Sequence, residues 1–205
     1  MLLFGHIGIT LGTAVLLDTA LSKSYSIPTQ SNQQPQYTQQ TKPPLLSRID
    51  LRLLLIGALL PDIIDKPVGN VFFQDTFSNG RIFCHTFLFL LLITLAAFYL
   101  NRHYGKPWLL VLSFGTFIHL ILDQMWMESQ TLLWPLYGFA FEKMEHTHLL
   151  EYWFRIMHTK PDVYIPEIIG GGILIGFLLV LVRHRNVCIF IRSGKIYTKS
   201  CLVIT

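Results

Sequence analysis

Residues Ile82 to Leu100 read IFCHTFLFLLLITLAAFYL, a run with no Asp, Glu, Lys or Arg and one histidine, His85, near its start. Its length suits a bilayer, whose hydrocarbon core takes roughly 20 apolar residues in a helix. The composition points the same way. The chain of 205 residues is 52% hydrophobic and only 14% charged, with a mean hydropathy of +0.47. Soluble domains run nearer about a quarter charged. An all-α integral membrane helical bundle, with about four spanning helices plus a half-helix, is the architecture these numbers predict.

Outward from that run, three more segments are candidates to span. They are Met1 to about Leu21, Trp108 to Leu122 (continuing past Asp123) and Ile165 to Val182. The first lacks a basic leader region and carries Asp18 where a cleavage site would lie, so it reads as a span rather than a signal peptide. Leu53 to Leu60, LLLIGALL, is too short to cross alone and is expected to be a half-helix stopped by Pro61. The glycines from Gly170 to Gly176 suit close helix packing. Residues 22–47, rich in Gln, Ser, Thr and Pro, predict a disordered insert. The expected domains are a membrane-embedded unit over 1–183 and a basic cytoplasmic tail over 184–205. The three cysteines have no CxxC spacing, which argues against a disulfide framework or zinc ribbon. Cys84 reads as a small buried hydrophobe.

Basic residues orient the chain. Placing the 22–52 linker, the 101–107 loop and the C-terminal tail inside puts Lys23, Lys42, Arg48, Arg52, Arg102, Lys106, Arg183, Arg185, Arg192, Lys195 and Lys199 in the cytoplasm. Lys66, Arg81, Lys143, Arg155 and Lys160 fall on the other side. On this threading His6, Asp62, Asp65, His85, His119 and Asp123 all reach the non-cytoplasmic edge. Ionisable groups are costly at membrane depth and usually mark a function there. Imidazoles and carboxylates gathered in one place form a ligand set for a divalent metal, Zn foremost, with Mn or Fe as alternatives.

The local strings carry this reading. Gly57-Ala-Leu-Leu-Pro-Asp-Ile-Ile-Asp-Lys66 sets two carboxylates three apart beyond an oily segment. They face one way if the turn is helical, and a helix C-terminus is a poor place for acids unless they have work to do. His119-Leu-Ile-Leu-Asp123 places two ligand types on one helix face. Gly80-Arg81-Ile-Phe-Cys-His85 brings a histidine to the start of a helix. Its Arg81 would either hold an anionic substrate group or snorkel to the headgroups. His6 lies one turn inside a glycine-flanked helix, where packing is the commoner role. Glu142, Glu145, His146, His148, Glu151 and His158 form a second acid–histidine group, read as a solvated loop. Trp134-Pro135 reads as an interfacial aromatic with a helix breaker.

Taken in order, the early Gly-His, LLPDIID, Gly-Arg…His-Thr, HLILD and LLWP strings resemble the bacterial and archaeal membrane-bound metal-dependent hydrolases. That family is also described as LexA-binding and inner-membrane-associated. The resemblance covers roughly residues 1–137. It implies a metal site at His6, Asp62, Asp65, His85, His119 and Asp123, hydrolysis by a metal-activated water, and a LexA-type partner. Asp62, Asp65 and Asp123 would share the acid–base work, with Arg81 steadying an anionic group. Two departures stand out. Many members space the acids two apart and follow them with His, where this chain has Lys66. Many also carry His-Arg where this chain has Gly80-Arg81, so one candidate ligand fewer argues against a two-metal site.

A phosphoester or lipid is the expected substrate, membrane lipid the expected partner, and no nucleic-acid-binding signal is visible. The alternative is a non-catalytic membrane protein, an ion or proton carrier or an interaction partner, that uses the cluster structurally. A carrier would need polar groups to continue to the cytoplasmic edge, and the inner halves of the later spans are apolar.

Overall fold

The structure, a computed structural model, describes residues 2–23, 45–143 and 157–196. Most of the predicted insert and of the acid–histidine loop lie outside those residues. The described residues are helical, with no strand among them. The elements are α1 (Leu3–Lys23), α2 (Leu45–Arg48), α3 (Leu51–Pro67), α4 (Phe87–Tyr104), α5 (Trp108–Leu122), α6 (Ser129–Leu132), α7 (Pro161–Arg183) and α8 (Val187–Ser193). A single π turn (Val68–Phe72) continues α3, and a 3₁₀ turn (Met125–Met127) follows α5. Helices α1, α4 and α7 are each long and apolar enough to cross a membrane; α5, at 15 residues, is shorter.

The expected half-helix is longer than the sequence suggested. Pro61 does not stop α3, which continues for six residues to Pro67. A proline within a helix has no N–H to give the carbonyl four residues back, which is normally expensive. Here that carbonyl belongs to Gly57, and the Thr116 hydroxyl of α5 lies 3.2 Å from it, sharing its one proton with the Leu112 carbonyl of its own helix at the same distance. Hydroxyls of neighbouring helices commonly satisfy carbonyls freed by proline in membrane proteins. A break visible in the sequence is therefore repaired by a residue of another helix, and both acids of the string become helical.

The second run also differs at its start. Residues 82–86 are not helical; α4 begins at Phe87, with Thr86 as its N-cap accepting from the Phe89 amide at 3.1 Å. At the end of α5 the helix stops at Leu122, and Asp123 caps it rather than extending it.

Glycines set which helices touch. A Cβ on Gly57 would fall on the Leu112 backbone, and one on Gly115 would press on Leu54 and Ala58. Helices α3 and α5 therefore pack backbone to backbone. Gly8 and Gly170 do the same for α1 and α7. The other glycines of the Gly170–Gly176 cluster do not pack: Gly171, Gly172 and Gly176 face open space, so the expected role falls to Gly170 alone.

The apolar core lies toward the end opposite the ionisable cluster. Leu11, Ala14, Leu51 and Leu54 are buried there, with Phe114, Leu174, Phe177 and Phe190 against them. That end is latched. The Leu51 amide donates to the Gly194 carbonyl at 2.8 Å, and Arg52 Nη1 donates to the Ile191 carbonyl at 2.7 Å. Hydrogen bonding from Arg52 holds the Asp50 carboxyl below its usual pKa. Between their polar ends the outward faces of α4 and α7 are apolar, with Leu92, Leu95, Ile168 and Leu179 all exposed, as suits lipid-facing surfaces.

Unequal costs follow for the glycines. Gly57→Val should destabilise the detergent-solubilised protein by about 2 kcal/mol or more, because rigid backbone blocks the added atoms. Gly172→Ala should be neutral or stabilising by up to ~1 kcal/mol, since helix propensity alone acts there. Thermal unfolding of the two variants beside wild type checks the difference, and equal shifts would contradict the packing.

Candidate metal centre

The site begins with Asp65, which is fully buried at the end of α3. Its carboxylate accepts from the amides of Ile82 (3.0 Å), Cys84 (2.9 and 3.0 Å) and His85 (3.1 Å). Because residues 82–86 are not helical, their N–H groups are free to converge on one anion, a nest of the kind backbone turns form. Oδ2 of Asp65 also lies 2.7 Å from His85 Nδ1. The carboxylate accepts there, so Nδ1 carries the proton and Nε2 of His85 presents a lone pair on its far side.

His119, one helix away on α5, is built the same way. Its Nδ1 sits 2.7 Å from the Ala58 carbonyl, which can only accept. Nε2 is again the free nitrogen. Asp62 is carried to the same place by the turn of α3 that Pro61 fails to end. Asp123 arrives from the C-cap of α5.

The four residues converge. One ligand atom from each of Asp62, His85, His119 and Asp123 lies within 4.8 Å of all the others. The Nε2 atoms of His85 and His119 are 3.2 Å apart. Asp62 Oδ1 is 3.6 Å from His85 Nε2 and 3.9 Å from His119 Nε2. Asp123 Oδ2 is 3.9 Å from His85 Nε2. Two ligands held ~2.0–2.1 Å from one tetrahedral Zn are about 3.4 Å apart. The shorter pairs approach that spacing and the widest would close by about 1 Å on an ion, and the N/O donor set admits Zn, Mn or Fe. Cys84 is not in the set; its thiol is buried beside Asp65, away from these atoms.

His6 lies just outside the four. Its ring stacks on His119 with centroids 4.1 Å apart, and Nε2 is 3.0 Å from Asp123 Oδ1. That contact lacks hydrogen-bond geometry, and neither ring nitrogen has a hydrogen-bond partner among the described residues. Nε2 keeps the close contact with the Asp123 carboxylate, so Nδ1 of this fully buried ring is the atom left without compensation. Asp65, expected among the ligands, stands behind His85 instead, with its oxygens occupied by amides and by Nδ1.

Two cations guard the edge of the cluster. Lys66 Nζ is 2.6 Å from Asp62 Oδ2, one helical turn away. Arg81 Nε is 3.1 Å from Asp123 Oδ2, and its Nη1 pairs with Glu128. Burial opposes the guanidinium's charge, but the Asp123 and Glu128 carboxylates outweigh it and raise the pKa of Arg81 above its ordinary value. Asp62, Asp65, Asp123 and Glu128 carry four negative charges against the two positive charges of Lys66 and Arg81. Carboxylates thus outnumber ammonium and guanidinium groups around the two imidazoles, an excess that a cation would offset. Access is through the edge: side-chain exposure is zero at His85 and His119, 12% at Asp62, 27% at Arg81 and 29% at Lys66.

Sequence reasoning missed three contributors. Thr116 lies one turn before His119 on the same face, so extending the His-x-x-x-Asp pattern backward would have found it. Glu167 of α7 accepts the amides of Leu2 (2.7 Å), Phe4 (2.9 Å) and Gly5 (3.0 Å), fixing the first turn of α1 and with it His6. An acid in an oily helix was the available signal. Glu128 follows in an irregular turn and had none. Of the second acid–histidine group, Glu145, His146, His148 and Glu151 lie outside the described residues. Glu142 and His158 are exposed and are not part of the cluster.

The comparisons agree with a membrane setting. No curated protein and no solved structure gives a significant match. The family comparison matches residues 1–193, nearly the whole chain, to one described as the YdjM inner membrane protein. By that match the chain belongs to the YdjM inner membrane protein family.

Proposed function

We propose that this protein is a metal-dependent hydrolase of the inner membrane, acting on a phosphoester at the non-cytoplasmic face. The observation that carries the reading is the meeting of two imidazole Nε2 atoms, 3.2 Å apart, with two carboxylates. Such an arrangement is unfavourable without a cation and well suited to one. The side assignment rests on the basic residues. Arg48, Arg52, Arg183 and Arg192 gather near the latched end, and basic loops favour the cytoplasm.

Asp62, His85, His119 and Asp123 would hold the ion, with His6 at its margin beside Asp123. When bound, a divalent cation supplies Lewis-acid polarisation and makes a water acidic enough to attack near neutral pH. The protein's own groups do the rest. Asp65 keeps the His85 proton on Nδ1 and the ring in one orientation, and the Ala58 carbonyl does the same for His119. Asp62 Oδ2, on the accessible edge and held by Lys66, is placed to accept a hydrogen bond from the attacking water and so orient it. Arg81 is placed to balance the charge of an anionic substrate group, in exchange for part of its contact with Glu128.

Metal analysis of purified protein tests the centre. Wild type should retain one divalent ion per chain, while Asp62→Ala and His119→Ala lose it yet stay folded by circular dichroism. Equal metal content in all three refutes the centre. A phosphoesterase screen on the same proteins then separates an enzyme from a metal-binding protein.

Asp65→Asn gives a finer test. Loss of the charge that orients His85 should weaken metal affinity by about 10–100-fold. Competition with a chelator of known affinity measures this, and an unchanged affinity would mean that Asp65 does not orient His85 for the metal.

A further inference from the structure

The segments that leave the cluster expose large apolar side chains where loops are normally polar. After α3 come Phe72 and Phe73, 73% and 55% exposed; after Asp123 come Trp126 and Met127, 57% and 74%. Beyond Pro135 come Leu136 and Phe139, 83% and 81% exposed. These residues belong to three separate stretches of chain, all at the site end of the bundle. A water-facing surface rarely gathers so much apolar area.

The first and third of these stretches are joined by rings. Phe73 meets Phe77 with centroids 6.3 Å apart, Phe77 meets Phe83 at 5.6 Å, Phe83 meets Trp134 at 5.5 Å, and Trp134 meets Phe139 at 6.2 Å. Edge-to-face contacts of this kind make a stiff frame. Phe83 sits in the same segment whose amides grip Asp65, so the frame is anchored to the metal centre. Four residues on, Phe87 opens the exposed apolar face of α4. The ring frame and the lipid-facing surface of the bundle are thus continuous.

We propose that these loops form an aromatic collar seated in the headgroup region of the nearer leaflet, and that a membrane lipid is the molecule it brings to the site. Aromatic side chains favour that region, with apolar bodies below and water above. The lipid's glycerol and upper chains would rest on the collar, leaving its phosphate level with Lys66, Arg81 and the exposed edge of Asp62. This second half rests on the hydrolase reading; the seating of the collar does not.

Depth measurement tests the seating without any turnover. Trp126 is left as the sole indole by Trp108→Phe, Trp134→Phe and Trp153→Phe, and the protein is reconstituted in phosphatidylcholine vesicles. Chains brominated near the carbonyl end should quench its emission more than chains brominated at their ends, and aqueous iodide should quench little, as for a group about 5–10 Å into the interface. Iodide quenching with no effect of either brominated lipid would overturn the collar. Should the triple variant not fold, a spin label on Met127→Cys, with Cys188→Ser and Cys201→Ser, reads the same depth from oxygen against nickel-chelate accessibility.

Delivery is tested with Leu136→Ser/Phe139→Ser. Hydrolysis of a bilayer phospholipid should fall about 10–200-fold, the range for losing apolar contacts to a substrate. Hydrolysis of water-soluble bis(p-nitrophenyl) phosphate should hold. An equal fall on both substrates overturns delivery. Wild type inactive on both overturns the hydrolase reading and delivery with it, while quenching still decides the collar.

Discussion

The carboxylate of Asp65 joins the end of α3 to the start of α4, and the site depends on that junction. A buried anion is tolerated only when its lone pairs are filled. Three backbone amides and one imidazole fill them here. The same contacts keep residues 82–86 out of the helix, since amides turned toward Asp65 are not spent on a helical ladder. They also fix which nitrogen of His85 faces the cluster. Without this carboxylate, three amides would be left unsatisfied and His85 would lose its orientation together.

The bundle divides its work along its length. Toward one end, Leu11, Ala14, Leu51 and Leu54 make an ordinary apolar core, closed by the latch between α3 and α8. Between that core and the cluster, glycine contacts bring α3 against α5 and α1 against α7 closely enough for short polar side chains to meet. Asp and His have little reach, so a metal centre between helices needs the backbones to approach. The glycines are in this sense part of the site, although none carries a functional group. Proline contributes as well: by freeing the Gly57 carbonyl, Pro61 gives Thr116 a reason to point inward, one turn from His119.

Hydropathy alone determined that the chain is a helical membrane bundle, because a run such as 82–100 has few alternatives to burial in lipid. The basic residues suggested a threading, and that threading brought six scattered ionisable residues to one depth. Depth is a one-dimensional property, and a sequence can carry it. Tertiary structure alone decided how those residues divide: four converge, His6 stands at the margin, and Asp65 turns away to hold an imidazole. That choice depends on rotation about the helix axes and on a non-helical turn at 82–86, neither of which hydropathy encodes. The passage of α3 through Pro61 was hidden for a related reason, since the donor that permits it lies on another helix. Local sequence sets the cost of such a break, and only the packed neighbour decides whether it is met.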